Sequence, residues 1–249
     1  LTANAFLAQR ISSINSIAAF CESTGGNIGE VANAIGTDQR IGADFLSAGP
    51  GFGGSCFKKD ILNLIYLSNF YGLTEVADYW ESVIKLNNWQ KRRIHKIIVN
   101  KLFGTLHNKK IAVLGFAFKA NTNDTRESPC IDICKDLLEE GAHLLIYDPK
   151  VENYKIKKDL DDKEMNNNDN NDYGTWKICS SIEESAHKSD AIVILTEWKE
   201  FYDINWQDLF RSMRKPSWIF DTRKCIDYQK AKKAGFNIWE IGNSPLINK

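Results

Sequence analysis

The sequence predicts an α/β protein in two parts, a helical region over residues 1–107 and a doubly wound parallel sheet over 108–249. Two patterns carry this. Through the first hundred residues, apolar positions recur every three or four places, the period of helices that bury one face. Beyond about residue 108, short continuous apolar runs alternate with helical patterns, as strands buried on both faces do when helices cross between them. With 43% hydrophobic and 26% charged residues in 249, the chain has enough apolar surface to bury a core, which excludes a disordered polypeptide.

In the first part, Leu7, Ile11, Ile14, Ala18 and Cys21 share one face of a helix over 2–22 that stops at Thr24-Gly25-Gly26. The pattern begins at once, with no cap and no initiator Met before it, so the chain is expected to be a piece of a longer one. A short helix follows over 29–35, halted at Gly36, and then a glycine-dense loop over 41–56. A third helix is expected over 59–71. Thr74 can cap a long fourth one that reaches about Phe103. The apolar length of that helix, with Trp80, Val83, Ile84 and Trp89, predicts a dimer seam. In the second part, five strands are expected, at 111–116, 143–147, 191–195, 217–220 and 236–240. The run NNNDNND at 166–172 is too polar to pack and predicts a disordered surface insertion.

Composition also narrows function. The 32 Lys+Arg balance 32 Asp+Glu, so the net charge is zero, which argues against nucleic acid or an acidic membrane surface as the main partner. No apolar stretch is long enough to span a bilayer. Cys21, Cys56, Cys130, Cys134, Cys179 and Cys225 are scattered without a CxxC pair, and His95, His107, His143 and His187 are dispersed. No zinc site and no disulfide framework are expected, and reduced thiols fit a cytoplasmic location.

The stretch Gly51-Phe52-Gly53-Gly54-Ser55-Cys56-Phe57-Lys58-Lys59-Asp60 carries the most chemistry. Glycines let a ligand approach the backbone, Cys56 stands near a helix start where dipole and free amides favour thiolate, and Asp60 follows one turn later. On these residues alone Cys56 reads either as a nucleophile or as a structural thiol in a tight loop. After the first strand, Gly115-Phe116-Ala117-Phe118-Lys119 lacks the full GxGxxG, so the sheet is shaped like a dinucleotide binder without the pyrophosphate turn. Lys119 and Arg223 fall just beyond two strand ends, where they could meet a phosphate.

At residues 1–16 (LTANAFLAQRISSINS), 51–60, 111–128 (IAVLGFAFKANTNDTRES) and Asp221-Thr222-Arg223, the sequence resembles the nucleotide-sugar dehydrogenase family, its eukaryotic UDP-glucose-oxidising branch in particular. The resemblance implies a central dimerisation domain with the cysteine loop at 1–107 and a UDP-sugar-binding α/β domain at 108–249. The family's N-terminal NAD-binding domain and a catalytic Lys would precede Leu1, so the chain alone is expected to be inactive. By the same resemblance Cys56 is the nucleophile, Asp60 assists the hydrolytic water, and Asn4 helps hold oxyanion or substrate. Arg40 would reach a neighbouring subunit's UDP-sugar. Phe45, Phe52, Gly53, Phe118, Lys119 and Arg223 match substrate contacts, and Lys59 and Arg126 match residues near NAD. The sequence departs from relatives in detail at Ser47-Ala48-Gly49-Pro50. The implied activity is NAD-dependent two-step oxidation of UDP-glucose to UDP-glucuronate, through a thiohemiacetal and a thioester on the cysteine, in a homo-oligomer of two or more subunits. Rival readings are a dehydrogenase for another nucleotide sugar and a non-catalytic UDP-sugar-binding or dimerising module.

Overall fold

The structure, a computed structural model, describes residues 1–161 and 173–243, so the polar run at 166–172 lies outside the described residues. The chain divides into two units, Leu1–Lys91 with the chain from Ile241 onward, and Arg92–Glu240.

The first unit holds α1 (Thr2–Thr24), α2 (Ile28–Gly36), α3 (Ser55–Phe70) and the larger part of α4 (Thr74–Lys101). Helix α1 ends where Gly25 takes a left-handed conformation and its N–H bonds back to the Cys21 carbonyl. Helix α2 is capped by Asn27, whose Oδ1 accepts from the Gly29 N–H at 2.8 Å. The small side chains of Ala5 and Ala8 let α1 pack closely on α3, and they share a core with Phe52, Ile61, Trp80 and Val83. Of the four residues expected at a dimer seam, Trp80 and Val83 are buried in the unit's own interior, Ile84 packs partly against it, and Trp89 stays exposed on α4. An exposed apolar stripe lies on α3, where Leu62, Tyr66 and Phe70 recur one turn apart. Helix α3 also begins four residues before the position expected from periodicity. Its first turn, Ser55 to Lys58, contains one large apolar residue, too few to register as a pattern.

The second unit alternates strands and helices: β1 (Lys110–Leu114), α5 (Pro129–Glu139), β2 (His143–Tyr147), α6 (Asn153–Leu160), β3 (Thr175–Ile178), α7 (Ile182–Ala186) and β4 (Ala191–Ile194). A 3₁₀ turn (Lys199–Asp203) follows, then α8 (Trp206–Ser212), β5 (Trp218–Asp221), α9 (Tyr228–Ala234) and β6 (Asn237–Glu240). All pairings are parallel, in the order β3-β2-β1-β4-β5-β6, the doubly wound arrangement that the alternating pattern predicts. The central strands β1 and β4 pair Ile111 with Ala191 through Leu114 with Ile194, and β4 is buried along its whole length. Strand β3 is absent from the five expected by sequence. It is an edge strand of four residues in which Thr175 and Lys177 face solvent, so it lacks the apolar run that marks its neighbours. The order reverses between β1 and β4, and the loops leaving those strands form the crevice where such sheets hold ligands.

Candidate active site

In the helical unit, the glycine-dense loop is held from below by side chains of α1 and α4. Arg10 donates to the carbonyls of Ile41, Gly42 and Asp44 at 2.7, 2.9 and 2.6 Å, gathering the start of the loop around one guanidinium. The Gly49 N–H donates to Asn15 Oδ1 at 2.8 Å, and Gln90 Nε2 donates to the Gly49 carbonyl at 2.9 Å. Asn87 takes both backbone groups of Phe52: its Oδ1 accepts from the N–H at 2.8 Å and its Nδ2 donates to the carbonyl at 3.2 Å. Gly51 has φ +126, and a Cβ there would stand 2.7 Å from Asn87 Oδ1, so no other residue suits the position. None of these four clasping side chains stood out in the sequence. The available signal was a polar amide or guanidinium inside an otherwise amphipathic helix.

The loop delivers the chain into α3, with Cys56 in its first turn. Its thiol is exposed, and Sγ lies 3.9 Å from Ser55 Oγ. Asp60 sits one turn further on, where its Oδ2 accepts from Asn4 Nδ2 at 2.7 Å, so the structure brings those two candidate residues together. Phe45 and Phe52 both set their rings edge-on to Phe57, with centroids 6.4 and 6.0 Å away. Phe52 is buried in the core, leaving half-buried Gly53 as the neighbour with open backbone. Lys59 is exposed beside Asp60. Arg40 stands on the exposed turn after α2, where its Nη2 lies 2.6 Å from Asp38 Oδ2. The hydrogen bonds from Arg40 hold the Asp38 carboxyl below its ordinary value, and those to Asp38 raise the guanidinium's.

In the sheet unit, β1 runs into Gly115 at φ +90, where a Cβ would meet Thr196 Cβ at 2.4 Å. Thr196 Oγ1 donates to the Ala117 carbonyl at 2.7 Å, so the loops after β1 and β4 are sewn together at the point of strand-order reversal. Arg223, beyond β5, donates from Nε to the Leu195 carbonyl at 2.8 Å and from Nη2 to the Phe118 carbonyl at 3.3 Å; its Nε is 3.2 Å from Glu197 Oε2. Arg223 and Phe118 are thus brought together, and Lys119 is exposed with Nζ 5.4 Å from the Phe118 ring centre. Beneath them, buried Asp221 accepts from the N–H groups of Arg223, Cys225 and Ile226 at 2.9, 2.9 and 3.1 Å. Burial pushes its carboxyl up, against the pull of those amides. Arg126 is exposed on the loop after β1 and paired with Asp124 at 2.7 Å; the bond from Arg126 holds that carboxyl low.

Asp148, at the end of β2, was also missed from sequence. Its Oδ2 accepts from the N–H groups of Phe116 and Ala117 at 2.7 and 3.1 Å and from Trp198 Nε1 at 3.1 Å. Its Oδ1 accepts from the N–H groups of Lys150 and Val151, both at 2.9 Å. In a dinucleotide-binding turn, the amides after the first strand face a pyrophosphate. Here a carboxylate of the protein already engages them, so the residues of this turn do not fit NAD in that mode. Among the described residues, no three His, Cys, Asp or Glu side chains gather where they could hold a metal ion.

The helical unit thus carries an exposed thiol at the end of a clamped glycine loop, and the sheet unit a doubly wound sheet whose first turn is closed by the Asp148 carboxylate. Residues 1–89 match the central domain of the UDP-glucose/GDP-mannose dehydrogenase family, and residues 112–228 match that family's UDP binding domain; the chain belongs to this family. The UDP-glucose 6-dehydrogenase of Drosophila melanogaster is 51% identical over 242 residues, which span 97% of this chain and 51% of that protein. The UDP-glucose 6-dehydrogenase of Caenorhabditis elegans is 49% identical over 251 residues, covering 98% and 50% respectively. A solved UDP-glucose dehydrogenase from Pyrobaculum islandicum superposes with a TM-score of 0.79 at 28% identity, over 98% of this chain and 50% of that one. The chain spans about half the length of the curated relatives it matches.

Proposed function

We propose that this chain supplies the thiol-bearing and UDP-sugar-binding parts (residues 1–107 and 108–249) of an NAD-dependent UDP-glucose 6-dehydrogenase that makes UDP-glucuronate, acting in the cytoplasm as a homo-oligomer. The observation that carries the reading is the placement of Cys56: exposed, in the first turn of α3, beyond a clamped glycine loop, with Asp60 held by Asn4 one turn away. NAD would take a hydride at each of the two oxidations, and Lys59 and Arg126 are the cations this chain would offer it.

The remaining chemistry falls to the chain's own residues. The Cys56 sulfur adds to the aldehyde carbon formed from the sugar's C6 alcohol, giving a thiohemiacetal. Its oxidation leaves a thioester, which water cleaves to the carboxylate and a free thiol. Asp60 holds that water, and Asn4 faces the oxygen on which charge develops. Arg223 and Lys119 meet the nucleotide's phosphates, with Phe118 beside them, while Phe45 and Gly53 wall the sugar and core-buried Phe52 backs them. Arg40, exposed on the turn after α2, would leave its Asp38 partner to reach a neighbouring subunit's ligand. Full-length protein with Cys56→Ser is expected to bind UDP-glucose normally and to make at most a trace of UDP-glucuronate, measured by chromatography. Near-normal acid production would reduce the thiol to a structural role.

A further inference from the structure

We propose that Asn87 is a positioning residue for the Cys56 thiol, an inference that rests on Cys56 being the covalent nucleophile. The loop that ends at Cys56 contains four glycines between 49 and 54, so its own side chains do little to fix its path. Its place is set instead at two residues. Gly49 has its N–H held by Asn15 and its carbonyl by Gln90, and Phe52 has both groups held by Asn87 alone. Asn87 and Gln90 are both buried, and they lie one turn apart on α4. The Asn87 amide therefore acts on Phe52 as a neighbouring strand would, offering one donor and one acceptor in the plane of the peptide.

Phe52 is the last residue before Cys56 whose backbone is clasped in this way. Gly53 and Gly54 follow, with Gly54 at φ 83, and then α3 begins. Any shift of Phe52 is passed through only two glycines to the helix start that carries the thiol. The approach at Gly51, where a Cβ would stand 2.7 Å from Asn87 Oδ1, shows that the loop has been drawn onto Asn87 as closely as glycine permits. A thiol adding to an aldehyde needs its sulfur near van der Waals contact with the carbon and on the correct line, and a displacement of about 1 Å costs on the order of a hundredfold in rate. The first oxidation, at the alcohol, uses no sulfur. Loss of the clamp should therefore fall on the second oxidation.

The test uses full-length protein with Asn87→Ala and Asn87→Asp, the latter keeping the acceptor for the Phe52 N–H. UDP-glucose affinity is read by calorimetry, and oxidation of UDP-glucose and of its 6-aldehyde is followed by NADH. Asn87→Ala is expected to slow aldehyde oxidation by about tenfold or more, with UDP-glucose affinity within about twofold and with the alcohol step nearly intact. Asn87→Asp should fall between Ala and wild type. Equal slowing of both oxidations, or activity that tracks only the folded fraction, would overturn the proposal. Should Asn87→Ala fail to fold, wild-type aldehyde oxidation by Asn87→Asp would overturn it as well. Cys56→Ser separates the two levels. If it still makes UDP-glucuronate, the nucleophile reading fails; if it blocks the acid while Asn87→Ala oxidises aldehyde normally, the positioning role alone fails.

Discussion

Cys56 differs from the other five cysteines in being exposed, whereas Cys21, Cys130, Cys134, Cys179 and Cys225 are buried. Burial pushes the Cys130 thiol up to about 11 and raises Cys134, Cys179 and Cys225 as well, because a buried thiolate loses its hydration. At pH 8 those four remain neutral, and iodoacetamide should label Cys56 first in the native protein, with Cys130 gaining ionised thiol only as pH approaches about 11. Peptide mass spectrometry reads the order; early labelling of Cys130 or Cys134 would contradict it. Beyond the end of β5, Arg223 is held through the carbonyls of Leu195 and Phe118. Arg223→Ala should weaken UDP binding by about 1.5–3 kcal/mol, the worth of a hydrogen bond to a charged group. Unchanged affinity in calorimetry would remove Arg223 from the nucleotide site.

At the scale of elements, the crevice depends on close approach between loops that leave different strands. Gly115 carries β1 past Thr196 with φ +90, and an added Cβ would lie 2.8 Å from the Thr196 backbone nitrogen as well as against its side chain. Gly115→Ala must therefore both adopt a strained backbone and push the loop after β4 away, at a cost of about 1–3 kcal/mol or more. Urea denaturation should show the midpoint falling with little change in slope, and an unshifted midpoint would mean that the loops part freely. Helix α5 starts from the same junction. Ser128 Oγ accepts from the Cys130 N–H at 3.3 Å and donates to the Phe116 carbonyl at 2.9 Å, so one hydroxyl both caps a helix and ties down the turn after β1.

Among the described residues, one continuous exposed apolar feature is the α3 stripe of Leu62, Tyr66 and Phe70, continued by Tyr71 and Leu73 in the turn that follows. Single exposed apolar residues are ordinary, but a continuous stripe of this kind marks a surface that is covered by another. A second copy of the chain is the occupant that the homo-oligomer reading supplies. Light scattering should give twice 28.3 kDa for the chain, and Tyr66→Lys with Phe70→Glu should shift it toward the monomer. A monomer at high concentration, or a dimer indifferent to those charges, would remove α3 from the interface. No helix among the described residues is long and apolar enough to cross a membrane, so this stripe is not part of a spanning helix.

The amino-acid sequence by itself determined the succession of helices and then parallel strands, because burial on one face or on two leaves a period that neighbouring residues display. It also marked the Gly51–Asp60 stretch and the strand-end positions of Lys119 and Arg223, where residue types alone carry chemistry. Tertiary structure decided what those residues meet. Spacing along the chain does not show that Asn87, 35 positions away, would clasp Phe52, or that Asp148, about 30 residues on, would occupy the amides after β1. It could not distinguish Trp80 and Val83 turned inward from the same residues at a seam, since either face of an amphipathic helix satisfies the period. Edge strand β3 left no apolar run because one side of it faces water. Periodicity records whether a residue is buried; which partner buries it is set by packing between segments far apart in the chain, and the cysteine loop and the closed turn after β1 both depend on such partners.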